Sequence, residues 1–149
     1  MAGYKAHLTA GALVGGAVLA GLYWYGAYRP GPMLAASLLA VCTAAALFPD
    51  VDTDSMARRF FYGIMAAVDV ALLVNRRFEW AAGLGLCAML PALCDHRGWT
   101  HTWWAMLAVP LAIGIVPYTF LGHDWRVVAP FYLAGVLGYF THLLLDRKF

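Results

Sequence analysis

The eight residues from Asp95 to Thr102 hold an unusual density of side chains that can do chemistry. They include the imidazoles of His96 and His101 and the guanidinium of Arg97, in a chain that is 63% hydrophobic and only 12% charged. Five residues apart on one helix, the imidazoles would point away from each other, but Gly98 permits a turn that brings them together. Imidazoles bind metals, and a guanidinium is a fork-shaped donor for phosphate or carboxylate. The stretch therefore indicates a metal site with an anion-binding arginine, or else an interfacial loop rich in capping residues.

A second set of candidate ligands lies elsewhere in the chain. His142 and Asp146 are four residues apart, so they share one helix face and could bind one metal. His142 lies inside an apolar run, where an ionisable group is costly and often functional; the alternative is a polar helix end held by its neighbours. In the loop Pro49-Asp50-Val51-Asp52, one of the carboxylates Asp50 and Asp52 could bind a metal while the other orients or bridges it.

The candidate ligands are too numerous for one closed zinc site, and structural zinc sites favour cysteine. The three cysteines, Cys42, Cys87 and Cys94, have no CxxC spacing. Mixed imidazole and carboxylate ligands suit zinc, manganese or iron in a two-metal cluster, which generates hydroxide and stabilises phosphoryl displacement. The predicted ligands of such a catalytic site are His7, Asp50, Asp52, His96, His101, His142 and Asp146. His7 taken alone would be read as an interfacial residue.

The composition predicts the elements that must hold these residues. Soluble domains carry about 25% charged residues, twice the fraction found here, and the mean hydropathy is +0.70. We therefore expect one all-helical integral membrane domain over residues 1–149, because helices satisfy their own backbone hydrogen bonds in lipid. Basic residues occur in ones and twos, so no nucleic-acid partner is expected. The six apolar runs are Leu8–Tyr28, Met33–Phe48, Phe60–Val74, Trp80–Cys94, Trp103–Leu121 and Val127–Leu145.

The second, third and fourth runs are short of the roughly 20 residues that cross a hydrocarbon core, so they are shortened spans or interfacial helices. If every run crosses, all seven predicted ligands lie on one face of the membrane. That face carries six Lys and Arg residues against four on the other, which favours the cytoplasm. Asp69 lies in the middle of the third run, and we expect it to pair with a neighbouring helix.

Four motifs, taken in order, carry a resemblance to a known family. They are His7, the PDVD of residues 49–52, the HRGWTHT of residues 96–102 and the HLLLD of residues 142–146. Over nearly the whole chain this pattern resembles the membrane-bound metal-dependent hydrolases of the LexA-regulated inner-membrane (YdjM-like) family. That family is itself similar to zinc-dependent phospholipase C and related fungal nucleases. The resemblance implies hydrolysis of a phosphoester on a lipid headgroup or a lipid-linked phosphate.

The chain departs from the family pattern at two positions. Thr53 stands where the family often has a histidine after its PDxD, which removes a possible ligand and puts the metal count in doubt. Thr102 replaces a serine and keeps the hydroxyl.

The prediction is a membrane hydrolase with two zinc ions, or manganese or iron, at the cytoplasmic interface, with membrane lipid and an amphiphilic phosphate-containing substrate as partners. Arg97 and Asp52 are the predicted catalytic residues, and Arg97 would steady the anionic substrate or transition state. One alternative is a non-catalytic membrane module whose cluster fixes the helices or serves a partner. A transporter ranks last, because Asp69 is almost the only polar candidate at mid-membrane depth.

Overall fold

The computed structural model describes residues 3–52, 56–89, 99–120, 122 and 124–146. Within them lie six α-helices: α1 Tyr4–Trp24, α2 Pro32–Ala45, α3 Met56–Val74, α4 Phe78–Met89, α5 Trp103–Phe120 and α6 Trp125–Leu145. Two short 3₁₀ helices, Phe48–Asp52 and Trp99–His101, join them. The described residues contain no strand, and the predicted all-helical class with six helices is confirmed.

The ends of α1 differ from those of the predicted apolar run. The helix begins at Tyr4 rather than Leu8, so His7 lies in its opening turns and not before it. It ends at Trp24 because Gly26 adopts a left-handed φ of 71°. The N–H of Gly26 then donates to the Tyr23 carbonyl at 3.1 Å, and the N–H of Ala27 donates to the Leu22 carbonyl at 3.0 Å. This pair of bonds is a Schellman motif, which satisfies carbonyls left over at the helix end.

Two helices, α1 and α6, are long and apolar enough to cross a membrane, while α2 is a shorter apolar helix of 14 residues. This agrees with the expectation that some helices would be short. Passage of all six helices through the bilayer stays a prediction.

The chain divides into two compact units, the first comprising Met1–Pro49 with His101–Phe149 and the second Asp50–Thr100. In the first unit α6 packs against α1, α2 and α5, and α1 packs against α2. Glycines allow these close contacts. A Cβ on Gly138 of α6 would collide with the carbonyl of Cys42 in α2, and one on Gly11 of α1 would lie 2.7 Å from Ala46 Cβ. The start of α1 and the ends of α2 and α6 can therefore approach closely.

The second unit contains α3 and α4, which pack against each other. Helix α3 carries Arg58, Arg59 and Asp69 and is amphipathic, which distinguishes it from the nearly uniform apolar helices of the first unit. Asp69 is half-buried, and neither an ion pair nor a hydrogen bond is recorded for it among the described residues. Its predicted pairing with another helix and the single domain over residues 1–149 stay predictions.

Candidate metal centre

His142 is held in one orientation by a backbone carbonyl. Its ring is fully buried in the last turn of α6, and its Nδ1 lies 2.8 Å from the carbonyl oxygen of Ala46, the C-cap of α2. Because a carbonyl oxygen can only accept a hydrogen bond, Nδ1 must carry a proton, and in the neutral ring Nε2 then keeps its lone pair. This is the arrangement in which metal-binding histidines are usually found, with one nitrogen donating to a backbone carbonyl and the other aimed at the metal.

Asp146 caps the C-terminus of α6 and turns its carboxylate into the protein. Its side chain is 2% exposed, with Oδ2 3.8 Å from His142 Nε2 and Oδ1 3.5 Å from His7 Nε2. Both distances exceed the usual N–H···O hydrogen-bond length. Neither oxygen accepts a hydrogen bond from the part of the chain that the structure describes. A buried carboxylate without hydrogen bonds is costly unless a cation offsets its charge, and that cation is either a protonated imidazole of His7 or His142 or a metal ion.

The rings of His7 and His101 enclose His142. His7, from α1, stacks on it with ring centroids 3.9 Å apart, and His101 meets it edge-on at 5.4 Å. His101 ends the 3₁₀ helix just before α5. Thr102 then caps α5, because the N–H of Ala105 donates to its Oγ1 at 3.4 Å. The helix start agrees with the apolar run that the sequence predicts from Trp103.

These four residues, His7, His101, His142 and Asp146, form what we call the His/Asp cluster. Its members come from the start of α1, the turn before α5 and the end of α6, all within the first unit. One ligand atom each from His101, His142 and Asp146 lie within 4.8 Å of one another. Ligands about 2.0–2.2 Å from a tetrahedral metal lie about 3.5 Å apart, so the group could close on one ion. Imidazole with carboxylate suits zinc, manganese or iron.

The remaining predicted site residues are not tested by this geometry. Asp50 is buried, at 9% exposure, and directly follows Pro49 at the start of the second unit, where its role as a ligand stays a prediction. Asp52 ends the 3₁₀ helix, and only its backbone is described. His96 and Arg97 lie outside the described residues, as does Thr53. A second metal ion therefore stays a prediction.

Sequence reasoning missed the carbonyl of Ala46, which orients His142. A backbone group leaves no mark in the residue types. The only available signal was the end of an apolar helix, whose last carbonyls have no partner within the helix and need one elsewhere.

Comparisons with known proteins place the chain at the family level. The family model described as YdjM inner membrane protein matches residues 1–147. No match was found among curated proteins or among solved structures. The match covers the His/Asp cluster and confirms the YdjM-like part of the resemblance seen in the four motifs, while the similarity to hydrolases and to phospholipase C stays a prediction. The chain therefore belongs to the YdjM inner membrane protein family.

Proposed function

We propose that this protein is a membrane hydrolase that uses a bound divalent metal to cleave the phosphoester of an amphiphilic substrate. The observation that carries the proposal is the buried Asp146 carboxylate, which has no hydrogen-bond donor among the described residues and faces the Nε2 atoms of His7 and His142. The carboxylate lies 3.5 and 3.8 Å from these nitrogens, too far for good hydrogen bonds, and a metal ion between them would bind both the oxygens and the nitrogens.

In this proposal His101, His142 and Asp146 hold the ion, and Asp50 stays a ligand predicted from the sequence. When bound, the ion would act as a Lewis acid and make a water nucleophilic near neutral pH. Ala46 keeps His142 in the binding tautomer, and Arg97 binds the anionic phosphate. Water adds its oxygen to phosphorus, the bond to the ester oxygen breaks, and the alcohol leaves with a proton.

The position of the cluster supports an amphiphilic substrate at a membrane surface. His7 lies at the start of α1 and Asp146 at the end of α6, the two helices suited to spanning. A site at the ends of spanning helices meets lipid headgroups, and the excess of basic residues favours the cytoplasmic leaflet. The phosphoester chemistry is supported by the resemblance of the four motifs to the YdjM-like family, taken with the similarity of that family to zinc-dependent phospholipase C stated above.

A specific observation favours a second candidate, a non-catalytic metal site that fixes the helix ends. His7 and His142 are fully buried, as in structural sites that admit no substrate. The two candidates differ in turnover and share metal binding.

The test measures metal content and turnover on the detergent-purified full chain, beside His142→Ala and Asp124→Asn. Asp124 is exposed and caps the opposite end of α6, donating no ligand to the cluster, and asparagine caps equally well. We expect stoichiometric zinc, manganese or iron in the wild type and in Asp124→Asn, and its loss in His142→Ala. Chelator-sensitive hydrolysis of phosphatidic acid or a polyprenyl phosphate should follow metal content. Metal without turnover would establish the structural candidate, and metal-loaded, active His142→Ala would overturn the ligand assignment.

A further inference from the structure

A groove of about 420 Å³ lies in the first unit between α1, α2 and α6. Its floor is formed by Gly15, Leu38 and Cys42, all buried. The floor is deep because Gly15 has no side chain; a Cβ there would lie 2.9 Å from the Cys42 sulfur. We call this feature the chain groove.

The mouth of the chain groove opens on the outer surface of the helices. Val18, Leu22 and Leu133 line it and are also exposed. Its lining runs from Gly15 to Leu22 in the second half of α1 and from Pro130 to Leu137 in the central part of α6, the two candidate spans. Each stretch is about 10 Å long at 1.5 Å per residue. Where these helices span a bilayer, the mouth would face lipid hydrocarbon, and apart from the Cys42 thiol and Tyr28 the lining is apolar.

The floor of the groove is close in sequence to the residues that position the His/Asp cluster. Cys42 lies one turn before Ala46, whose carbonyl holds His142, and its thiol donates to the Gly11 carbonyl at 3.6 Å. Gly11 in turn lies one turn from His7 along α1. From Leu137 to His142, or from Gly15 to His7, the axial distance is about 8–12 Å.

We propose that the chain groove binds the hydrocarbon chain of the amphiphilic phosphate substrate and so sets the position of its headgroup at the cluster. The groove and the interval to the cluster together span about 20 Å, which requires a long acyl or isoprenoid chain. Because the alternative environment is bilayer hydrocarbon, the groove contributes orientation more than affinity. The identification of the bound hydrocarbon chain as part of the substrate rests on the proposed function.

The test uses the full chain in lipid nanodiscs with a trace of phosphatidic acid whose acyl chain carries a diazirine about halfway along it, the part of the chain that would lie over the floor. Ala134 lines the groove, and Ala134→Phe fills it. Ala17→Phe is the matched control, because Ala17 is exposed on α1 and is not part of the lining. After irradiation, mass spectrometry locates the label. We expect labelled Leu38 or Cys42 peptides in the wild type and in Ala17→Phe, and their loss in Ala134→Phe. Should Ala134→Phe fail to fold, Val18→Trp blocks the mouth from an exposed position.

Equal labelling of the floor in Ala134→Phe and Ala17→Phe would show that the lipid does not reach the floor through the groove, and would overturn the proposal. Equal labelling by a phosphatidylcholine probe of the same chain length would overturn the link to the substrate, because any bilayer lipid would then enter. Labelling does not depend on turnover. A labelled floor in a protein that hydrolyses no phosphoester would contradict the proposed hydrolase function and still support lipid binding in the groove. Hydrolysis that proceeds unchanged in Ala134→Phe would show that the groove does not bind the substrate, and the hydrolase function would stand without it.

Discussion

The two compact units use glycine in different ways. In the first unit, Gly11 and Gly138 stand where an added Cβ would meet the neighbouring helix α2, at Ala46 and at the Cys42 carbonyl. In the second, Gly63 of α3 and Gly83 of α4 have no atom within 4 Å of such a Cβ. The first unit also holds the fully buried imidazoles. Close backbone contact therefore coincides with the His/Asp cluster.

This difference indicates that the geometry of the cluster depends on small residues at the helix contacts as well as on its own polar side chains. His142 needs the Ala46 carbonyl at 2.8 Å, and that carbonyl is within reach only because α2 approaches α1 and α6 closely. The following substitutions test the link between close approach and site geometry, and each has a counterpart outside the cluster.

The largest effect is expected from Gly138→Ala. The new methyl group would collide with the backbone carbonyl of Cys42, which cannot rotate away, so α6 must move from α2. Overpacking of this kind should cost about 3 kcal/mol or more and yield little folded protein. Gly83→Ala meets nothing and should stabilise α4 slightly, by up to about 1 kcal/mol. Thermal unfolding in detergent measures both, and equal midpoints would show that α2 and α6 are not tightly packed.

A smaller but specific loss is expected from Asp146→Asn. The change keeps the shape of the side chain and removes its charge, so metal affinity should fall by more than about 100-fold while the helices stay folded. Asp69→Asn makes the same change in α3 of the second unit and should leave metal content intact. Metal titration with a competing chelator provides the measurement. Loss of metal in Asp69→Asn with retention in Asp146→Asn would move the site out of the first unit.

Hydropathy and spacing were sufficient to predict the six helices and the shared face of His142 and Asp146, because both follow from helix geometry. The sequence does not predict the start of α1 at Tyr4, because residues 4–7 have no strong apolar pattern and the N-cap residue, Gly3, has no side chain that could mark a helix cap. The Ala46 carbonyl was missed because a tertiary hydrogen bond to backbone carries no residue signature. The second metal ion depends on residues outside the described ranges.

Gly11→Ala should act on the cluster at a distance. Its Cβ would lie 2.7 Å from the Ala46 Cβ, and displacing Ala46 would lengthen the bond that orients His142. Loss of a hydrogen bond to a metal-binding histidine typically lowers metal affinity by about 10–100-fold, and we expect a decrease near the lower end of that range. Gly16→Ala, on the same helix, meets nothing within 4 Å and serves as the control. Equal metal affinities in the two variants would mean that the Ala46 carbonyl does not control the imidazole.

The smallest effect concerns the C-terminal ends of α1 and α3, which have the same Schellman hydrogen-bond pattern but different residues at the position with positive φ. As at Gly26, the N–H of Arg76 donates to the Leu73 carbonyl at 3.0 Å and that of Arg77 to the Leu72 carbonyl at 2.8 Å. Arg76 adopts φ 55°, which costs a residue with a Cβ about 1 kcal/mol relative to glycine.

Arg76→Gly should therefore raise the free energy of unfolding by about 0.5–1 kcal/mol, and Gly26→Ala should lower it by a similar amount. Chemical unfolding of the detergent-solubilised protein measures both, and metal content should not change in either variant, because neither residue belongs to the cluster. If Arg76→Gly instead destabilises the protein, the arginine side chain makes contacts that outweigh its backbone strain. The second unit would then depend on a charged residue at the position where the first unit needs only glycine.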